Sequence, residues 1–366
     1  MKFIMQNNKI LTIGVPTYNR AFYLEDFFRL LFEVLKHTNN VKVLVSNNNS
    51  QDGTELICKK WVNVFSNHNI EVTYNKIENH VSGVENLLSL FKLVDTPYFM
   101  FLGDDDSLNK DGFLSALSIL DHSPSAIIQN VFWNQNRSKK SGFVKPKESF
   151  KLFYEYGNAY TSIISTDFID LIFKKNQLID ELNGILWPQT VIGYLTILNF
   201  KSTKRVYIHN KIIGDCFVTG GTKLTNSEYW AQSLHDLLKA ALMIKKASNK
   251  DYAISSFISI NSFGLLFHLE SIAHYSVLQR SIPPIDFILD ILKNKHFGIR
   301  GLILRTFLST FFLNRFIFSI STKLALMYKL RLSWNSVKRY INEKQIEYDF
   351  KVNNVDYTKI RYKNWF

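Results

Sequence analysis

The sequence predicts an α/β protein with a mainly parallel sheet covered by helices on both faces, followed by a mostly helical region. Two patterns support this prediction. Short apolar runs alternate with segments of helical periodicity over the first 120 residues, and helical periodicity dominates after about residue 227. Strands that alternate with helices of this length are typical of βαβ units, in which neighbouring strands run parallel.

Four apolar runs in the first part have the composition of strands: "KILTIGVPTYN", "VKVLVSNN", "IEVTYNKI" and "YFMFL". Three helical segments separate them: "AFYLEDFFRLLFEVLKHT", "ELICKKWVNVF" and "GVENLLSLFKLV". Ser50 or Asp52 can cap the second helix, which we expect to begin near Thr54.

The alternation becomes less regular beyond about residue 125. We expect strands in "AIIQNVFWNQN" and "KRVYIHNKIIGDCF", and a helix in "DFIDLIFKK" between them. Further helices are predicted at 228–247, 253–278, 284–294 and 301–341. The glycine pair of "VTGGTK" is typical of a loop. We therefore divide the chain into two domains, residues 1–220 and residues 221–366.

Composition limits the function. The net charge of +13 and the isoelectric point near 9.4 indicate an anionic partner. Two cysteines, Cys58 and Cys216, are too few for a disulfide framework or a zinc-ligand set, and they suit a reducing cytoplasm. The first residues show no signal-peptide pattern, and the nine histidines show no metal-binding spacing.

Three consecutive carboxylates, Asp104, Asp105 and Asp106, follow the run "TPYFMFL". Crowded like charges favour an arrangement in which a cation lies beside them. The three aspartates directly follow the carboxyl end of a predicted core strand, and open α/β sheets bind ligands at that end. A solvated acidic turn, or caps for the helix in "LNKDGFLSAL", remain alternative interpretations.

Three stretches together resemble family 2 glycosyltransferases of the GT-A fold: "TIGVPTYNRAFYL", "VLVSNNNSQDGT" and "VSGVENLLSLFKLVDTPYFMFLGDDDSL". They are similar, in order, to the family's opening P-T-Y-N-R strand, its S-x-D-G-T turn, its helix with a glycine and an asparagine, and its D-x-D site. The resemblance covers residues 9–120 well, 121–220 weakly and the helical tail hardly at all.

This resemblance implies a nucleotide-sugar donor and a divalent metal, Mg²⁺ or Mn²⁺, that neutralises its diphosphate. The D-x-D frame falls on Gly103-Asp104-Asp105. Asp105 would ligate the metal with support from Asp106, and Asp104 would lie near the ribose or the sugar. Pro16 and Tyr18 match positions that line the nucleotide, although Tyr18 could also be ordinary packing at a strand end.

Two features depart from the family pattern. Asn47 and Asn48 stand where the family usually has an aspartate that reads uracil, so uracil is allowed but no longer favoured. The stretch "NGILWPQTVIGYLTI" has no acid where inverting members carry their general base. Asp180, Glu181 and Asp215 are the nearest candidates, and each of them could equally be an ordinary surface carboxylate.

The segment from Ile291 to Asn342 contains ten Lys or Arg and no Asp or Glu, among many Phe and Leu. Arg305 and Arg315 interrupt its apolar run, so we expect it to lie on an anionic membrane surface rather than to span the bilayer. Packing of its phenylalanines against the catalytic core is the alternative. We accordingly expect a cytoplasmic enzyme, peripheral at the inner face of the plasma membrane.

The predicted reaction is the transfer of a sugar from a nucleotide-diphosphate sugar to a glycan acceptor in bacterial surface polysaccharide synthesis, such as O-antigen or capsule. The tail favours a lipid-linked acceptor. Two other classes remain open. Palm-domain polymerases also use a G-D-D motif, but on a β-hairpin, and we expect no nucleic-acid partner here. A catalytically inactive relative could act as a binding or assembly subunit.

Overall fold

The computed structural model describes residues 9–124, 126–129, 141–144, 162–168, 182, 192, 206–215, 227–248, 269, 272, 276 and 285–313. The chain divides into two compact units. One comprises Met1–Val218 with Tyr362–Phe366, and the other comprises Thr219–Arg361.

The strands of the first unit are β1 Leu11–Thr17, β2 Val41–Asn47, β3 Glu71–Lys76, β4 Tyr98–Phe101, β5 Ser107–Leu108, β6 Ala126–Gln129, β7 Gly142–Val144, β8 Ile163–Ser165, β9 Val206–His209 and β10 Gly214–Asp215. Its described α-helices are α1 Ala21–Leu35, α2 Thr54–Ser66, α3 Gly83–Phe91 and α4 Lys110–Ile119. All four predicted strands and all three predicted helices of the first 101 residues are present.

Eight of the described strands form one sheet in the order β3-β2-β1-β4-β8-β6-β9-β7. The first four strands run parallel, as predicted. Strand β8 is antiparallel to both of its neighbours, and β7 is antiparallel to β9. Six of the eight strands therefore point in the same direction, so the sheet is mainly parallel, as predicted, and only the three-residue strands β7 and β8 are reversed.

Helices cover both faces of the parallel part, as predicted. Alternate residues of β1, namely Leu11, Ile13 and Val15, join the core formed with α1, α2 and α4. On the opposite face, Gly14 lies against Phe99 and against Leu90 of α3, and a Cβ at Gly14 would meet the Phe99 ring at 2.4 Å. Both faces are thus closely packed, which holds the carboxyl ends of β1, β2 and β4 in fixed positions.

The second unit contains α5 Ser227–Ser248, α6 Asp286–Ile291 and α7 Gly298–Leu313. These correspond to the helices predicted at 228–247 and 284–294 and to the start of the one predicted at 301–341. The helix predicted at 253–278 falls almost wholly outside the described residues, as does most of "DFIDLIFKK". Among the described helices, none is long and apolar enough to cross a membrane.

Candidate functional site

The turns after β1 and β2 are tied together at the carboxyl edge of the sheet. The backbone amide of Asn48 donates to the Thr17 carbonyl at 3.0 Å, and the backbone amide of Asn19 donates to Ser50 Oγ at 2.9 Å. Asn19 has a φ of 51°, a left-handed conformation that asparagine tolerates better than most residues. The two turns therefore form one rigid platform at this edge.

Asp52 extends this platform to the starts of two helices. Its Oδ1 accepts from the Thr54 amide at 2.9 Å, and its Oδ2 accepts from the Ala21 amide at 3.1 Å. Burial acts to raise the pKa of Asp52, but hydrogen bonds from the Thr54 side chain and from the Thr54 and Ala21 amides together outweigh it and lower the pKa, so Asp52 is held as a carboxylate. The S-x-D-G-T turn thus positions α1 and α2, and Asp52 acts as a turn-forming residue.

Asp104 lies at the end of β4 beside this platform and is buried. Thr17 Oγ1 donates to its Oδ2 at 2.6 Å, and Arg20 Nε lies 3.6 Å from its Oδ1. Burial raises the pKa of Asp104 most strongly, Arg20 and Thr17 lower it and Asp105 raises it, and the net result is a pKa of about 7. The carboxylate form of Asp104 therefore depends on nearby positive charge.

Asp105 is more accessible than Asp104, with a side chain 23% exposed. Its Oδ2 lies 4.0 Å from Arg20 Nη2. The Arg20 guanidinium therefore faces both carboxylates from one position. Divalent cations such as Mg²⁺ are commonly held by one or two carboxylates together with substrate phosphates. The partly open carboxylate of Asp105 beside Asp104 suits this role.

Asp106 shapes the turn itself. Its Oδ2 accepts from the Gly103 amide at 3.0 Å, and its own amide donates to the Gly103 carbonyl at 3.1 Å. A Cβ at Gly103 would lie 2.7 Å from Asp106 Oδ2 and 3.0 Å from Asp105 Oδ1. Glycine at the first position of the D-x-D frame therefore leaves the space that these two carboxylates occupy.

Arg20 is a residue of this candidate site that the sequence alone did not indicate. It belongs to the P-T-Y-N-R stretch, but no pattern of spacing pairs it with acids 84 and 85 positions later. Its backbone amide donates to Thr54 Oγ1 at 2.9 Å, and its guanidinium carbon lies 5.5 Å from the centre of the Tyr23 ring. The backbone of Arg20 is thus fixed at the start of α1, while its side chain reaches the acidic turn.

The two asparagines at the end of β2 have both ends of their amide groups bonded within the protein. Asn47 donates to the Tyr74 hydroxyl at 2.9 Å and accepts from the Ser50 amide at 3.0 Å. Asn48 donates to the Val81 carbonyl at 2.8 Å and accepts from the Val81 amide at 2.9 Å. In this conformation they hold the loop before α3, and reading of a base by either side chain would require these bonds to exchange.

Two other residues of the family motifs, Asn86 and Tyr18, differ in their surroundings. Asn86 of α3 accepts from Ser46 Oγ at 2.7 Å and donates to the Ser46 carbonyl at 3.3 Å, so it joins α3 to β2. Tyr18, by contrast, is 42% exposed, and its ring lies 4.4 Å from that of His80. Pro16 lies two residues earlier, within β1. The exposed pair of rings lies at the same strand edge as the acidic turn.

The structure brings one of the three predicted general-base candidates to the acidic turn. Strand β10 pairs antiparallel with β5, and Asp215 stands opposite Ser107, the residue that follows Asp106. Asp180 and Glu181 lie outside the described residues. The same pairing separates this site from a palm-domain hairpin, because β5 pairs with β10 and not with β4, and α4 follows at once.

Residues 12–173 match the family model described as Glycosyl transferase family 2. The chain has a family 2 glycosyltransferase domain. This confirms the family that the P-T-Y-N-R and acidic-turn motifs predicted. The match extends beyond residue 120, well into the part where the sequence motifs alone are weak.

Two bacterial relatives of the domain are named as glycosyltransferases. Abequosyltransferase RfbV of Salmonella typhimurium is 30% identical over 112 residues, which are 31% of this chain and 33% of that protein. A processive diacylglycerol beta-glycosyltransferase of Mycoplasma pneumoniae is 33% identical over 110 residues, 30% of this chain and 31% of that protein. The chain thus matches about a third of the length of each relative.

Solved structures show the same GT-A fold. S. aureus TarS 1-349 in complex with UDP-GlcNAc has a TM-score of 0.54 and 16% identity, covering 88% of this chain and 92% of that one. A second structure of S. aureus TarS has a TM-score of 0.52 and 17% identity, covering 81% of this chain and 50% of that one. The α/β architecture predicted from the sequence is therefore confirmed as GT-A.

Proposed function

We propose that the protein transfers a sugar from a nucleotide-diphosphate sugar to a glycan acceptor in the synthesis of a bacterial surface polysaccharide. The observation that carries this proposal is the acidic turn Asp104–Asp106 at the carboxyl edge of a family 2 domain, joined to β1 through Thr17 and Arg20. A binding or assembly subunit without activity is the alternative, and donor-dependent turnover separates the two.

The donor site in this proposal is formed by the described strand ends. Asp105, supported by Asp106, would hold a Mg²⁺ or Mn²⁺ ion, and Asp104 would lie near the ribose or sugar. The metal, when bound, supplies positive charge to the leaving diphosphate. Pro16 and the exposed ring of Tyr18 would line the nucleotide, while Asn47 and Asn48 would act chiefly by holding the surrounding loops.

We assign the general base of an inverting reaction to Asp215. Its support is the β5–β10 pairing, which places its backbone opposite Ser107, next to the acidic turn. A base must reach the acceptor hydroxyl while the donor is bound, so a residue beside the donor site is favoured over a distant one. Asp215→Asn should lower kcat at least a hundredfold with little effect on donor binding.

The matched variants Asp180→Asn and Glu181→Gln test the same assignment from the other side. Both should keep most of the turnover if Asp215 is the base. Near wild-type turnover in Asp215→Asn, with a large loss in either of the other two, would move the role to Asp180 or Glu181.

The acceptor would be a lipid-linked glycan, with the enzyme on an anionic membrane surface at the cytoplasmic face. One relative is named for diacylglycerol glycosylation, and a Bacillus subtilis relative, 25% identical over 121 residues, is named for minor teichoic acid biosynthesis. Diacylglycerol is a lipid, so the first of these names supports a membrane-proximal acceptor for this chain.

Helix α7 provides the surface for this contact. Four apolar side chains lie along one stripe of the helix and are 51–68% exposed: Ile299, Leu302, Ile303 and Phe307. Leu304 and Leu308, on the other side, are buried. Arg300 is exposed at the edge of the stripe, and residues 291–313 contain no acid. An apolar stripe with basic residues around it complements an anionic lipid surface.

Vesicle sedimentation tests this surface directly. The double variant Ile303→Ser/Phe307→Ser should bind vesicles containing phosphatidylglycerol at least fivefold more weakly than the wild type, because two apolar contacts are lost. Leu56→Ser, which changes an apolar residue on α2 that is 75% exposed, is the matched control and should bind normally. Equal binding of all three proteins, or equal binding to phosphatidylcholine vesicles, would contradict the assignment.

A further inference from the structure

Arg20 occupies the position where a cation is needed by the acidic turn. Its Nε lies 3.6 Å from Asp104 Oδ1, and its Nη2 lies 4.0 Å from Asp105 Oδ2. Asp104 is almost fully buried, and two carboxylates this close together repel each other unless a positive charge lies near them. A single guanidinium that faces both carboxylates supplies this charge in the absence of ligand.

These two contacts are long for ion pairs, and they therefore suit an exchangeable partner. A charge-assisted N–H···O bond is ordinarily about 2.7–2.9 Å long. By contrast, Thr17 Oγ1 holds the other oxygen of Asp104 at 2.6 Å. The Arg20 side chain is 25% exposed, and its guanidinium has the Tyr23 ring as a second neighbour. Asp104 is thus held firmly by Thr17 and loosely by Arg20.

We infer that Arg20 is a resident counter-ion of Asp104 and Asp105, which leaves these carboxylates and pairs with the donor's diphosphate when a metal-bound donor enters. This inference rests on the proposed function. A divalent ion on Asp105 would lie close to the guanidinium, and their repulsion would weaken metal binding as long as Arg20 stays in place. The diphosphate brings the negative charge that allows Arg20 to move.

The consequence is a coupling between metal and nucleotide. The metal alone must compete with Arg20, whereas the metal together with a diphosphate gives Arg20 a new partner, so each ligand strengthens the other. Such coupling would keep free metal from occupying the site without donor. Arg20 is accordingly a positioning residue, which acts through the carboxylates and the diphosphate.

The test measures Mn²⁺ affinity by calorimetry, without nucleotide and with a saturating amount of whichever of UDP, CDP, dTDP and GDP binds most tightly. Arg20→Gln should bind Mn²⁺ alone at least fivefold more tightly than the wild type, because the competing charge is gone. Its gain in Mn²⁺ affinity on adding the diphosphate should fall by a similar factor. Arg29→Gln removes the same charge from the exposed face of α1 and should match the wild type on both measures.

The outcomes separate this inference from the proposed function. Unchanged affinity for Mn²⁺ alone and unchanged coupling in Arg20→Gln, with normal Mn²⁺-dependent nucleotide binding by the wild type, would overturn the role of Arg20 and leave the proposed function standing. If the wild type shows no Mn²⁺-dependent nucleotide binding, both the role of Arg20 and the proposed function are overturned. If Arg20→Gln does not fold, the Arg20→Lys variant provides the test. A single ammonium spans two carboxylates less well than a guanidinium, so Mn²⁺ and nucleotide binding should be more weakly coupled in Arg20→Lys. Coupling as strong as in the wild type would count against the inference.

Discussion

Thr17, the last residue of β1, donates a 2.6 Å hydrogen bond from its hydroxyl to Oδ2 of Asp104, which follows β4. The two residues are 87 positions apart but lie at the ends of neighbouring parallel strands. This bond fixes one oxygen of the buried carboxylate and leaves the other beside Arg20. The acidic turn is therefore oriented by the opening strand of the domain as well as by its own sequence.

We predict that Thr17→Val destabilises the protein by about 1–2 kcal/mol, because Asp104 loses a buried hydrogen-bond donor while the shape of the side chain is kept. Urea denaturation measures the change. Thr73→Val, at an exposed position of β3, is the matched control and should be nearly neutral. Equal stability of the two variants would show that the Thr17 bond contributes little.

The raised pKa of Asp104 predicts how stability depends on pH in the protein without ligand. The folded pKa is about 7, whereas an unfolded aspartate has a pKa of about 4. Between these values the folded state binds more protons than the unfolded state, so the free energy of unfolding falls as the pH rises through this window. Asp104→Asn should flatten this part of the profile, measured by urea denaturation at a series of pH values. An unaltered slope would place Asp104 in a less buried or better neutralised environment.

Asn48→Asp distinguishes a base-reading residue from a structural one. The change replaces the amide that donates to the Val81 carbonyl by a carboxylate oxygen that repels it. We predict a loss of about 1–3 kcal/mol in the free energy of unfolding. Asn49→Asp, in the same turn, should be tolerated. The sequence alone predicts a shift toward UDP in Asn48→Asp, and such a shift at unchanged stability would favour the base-reading role.

Gly103→Ala should disturb the acidic turn while the sheet stays folded. The added methyl group would lie 2.7 Å from Asp106 Oδ2 and 3.0 Å from Asp105 Oδ1, so both carboxylates must move. We expect Mn²⁺-dependent nucleotide binding to weaken about tenfold, or about 1.4 kcal/mol. Gly83→Ala is the control, because nothing lies within 4 Å of the added atom. Normal ligand binding by Gly103→Ala would show that the turn tolerates this displacement.

The parallel half of the sheet could be predicted because its strands and helices have clear periodicity. The start of α3 is fixed in addition by a reciprocal capping box between Ser82 and Glu85. Strands β7 and β8 have only three residues each, too few to show a period. Their antiparallel pairing depends on long-range packing, so these two reversed strands of a mainly parallel sheet were not predicted.

The acidic turn itself could be found from sequence because three carboxylates after a core strand are unusual. The positions of their partners could not. Arg20 reaches Asp104 across the sheet edge, and the bidentate contact of Asn48 with Val81 joins residues 33 positions apart. The sequence placed Asn48 in the pocket for the nucleobase, whereas the bonds that its side chain makes in the structure hold the backbone of Val81.

The proposed role of the Asp104–Asp106 turn is to bind the metal-bound diphosphate of a sugar nucleotide. Calorimetric titration of UDP, CDP, dTDP and GDP with and without Mn²⁺ measures this binding on the wild type, on Asp105→Asn and on the charge-matched control Asp26→Asn at the exposed face of α1. We expect Mn²⁺ to strengthen the binding of at least one nucleotide tenfold or more in the wild type and in Asp26→Asn, and we expect Asp105→Asn to lose this gain. Nucleotide binding that does not depend on Mn²⁺, or that keeps its full dependence in Asp105→Asn, would rule out this role for the turn.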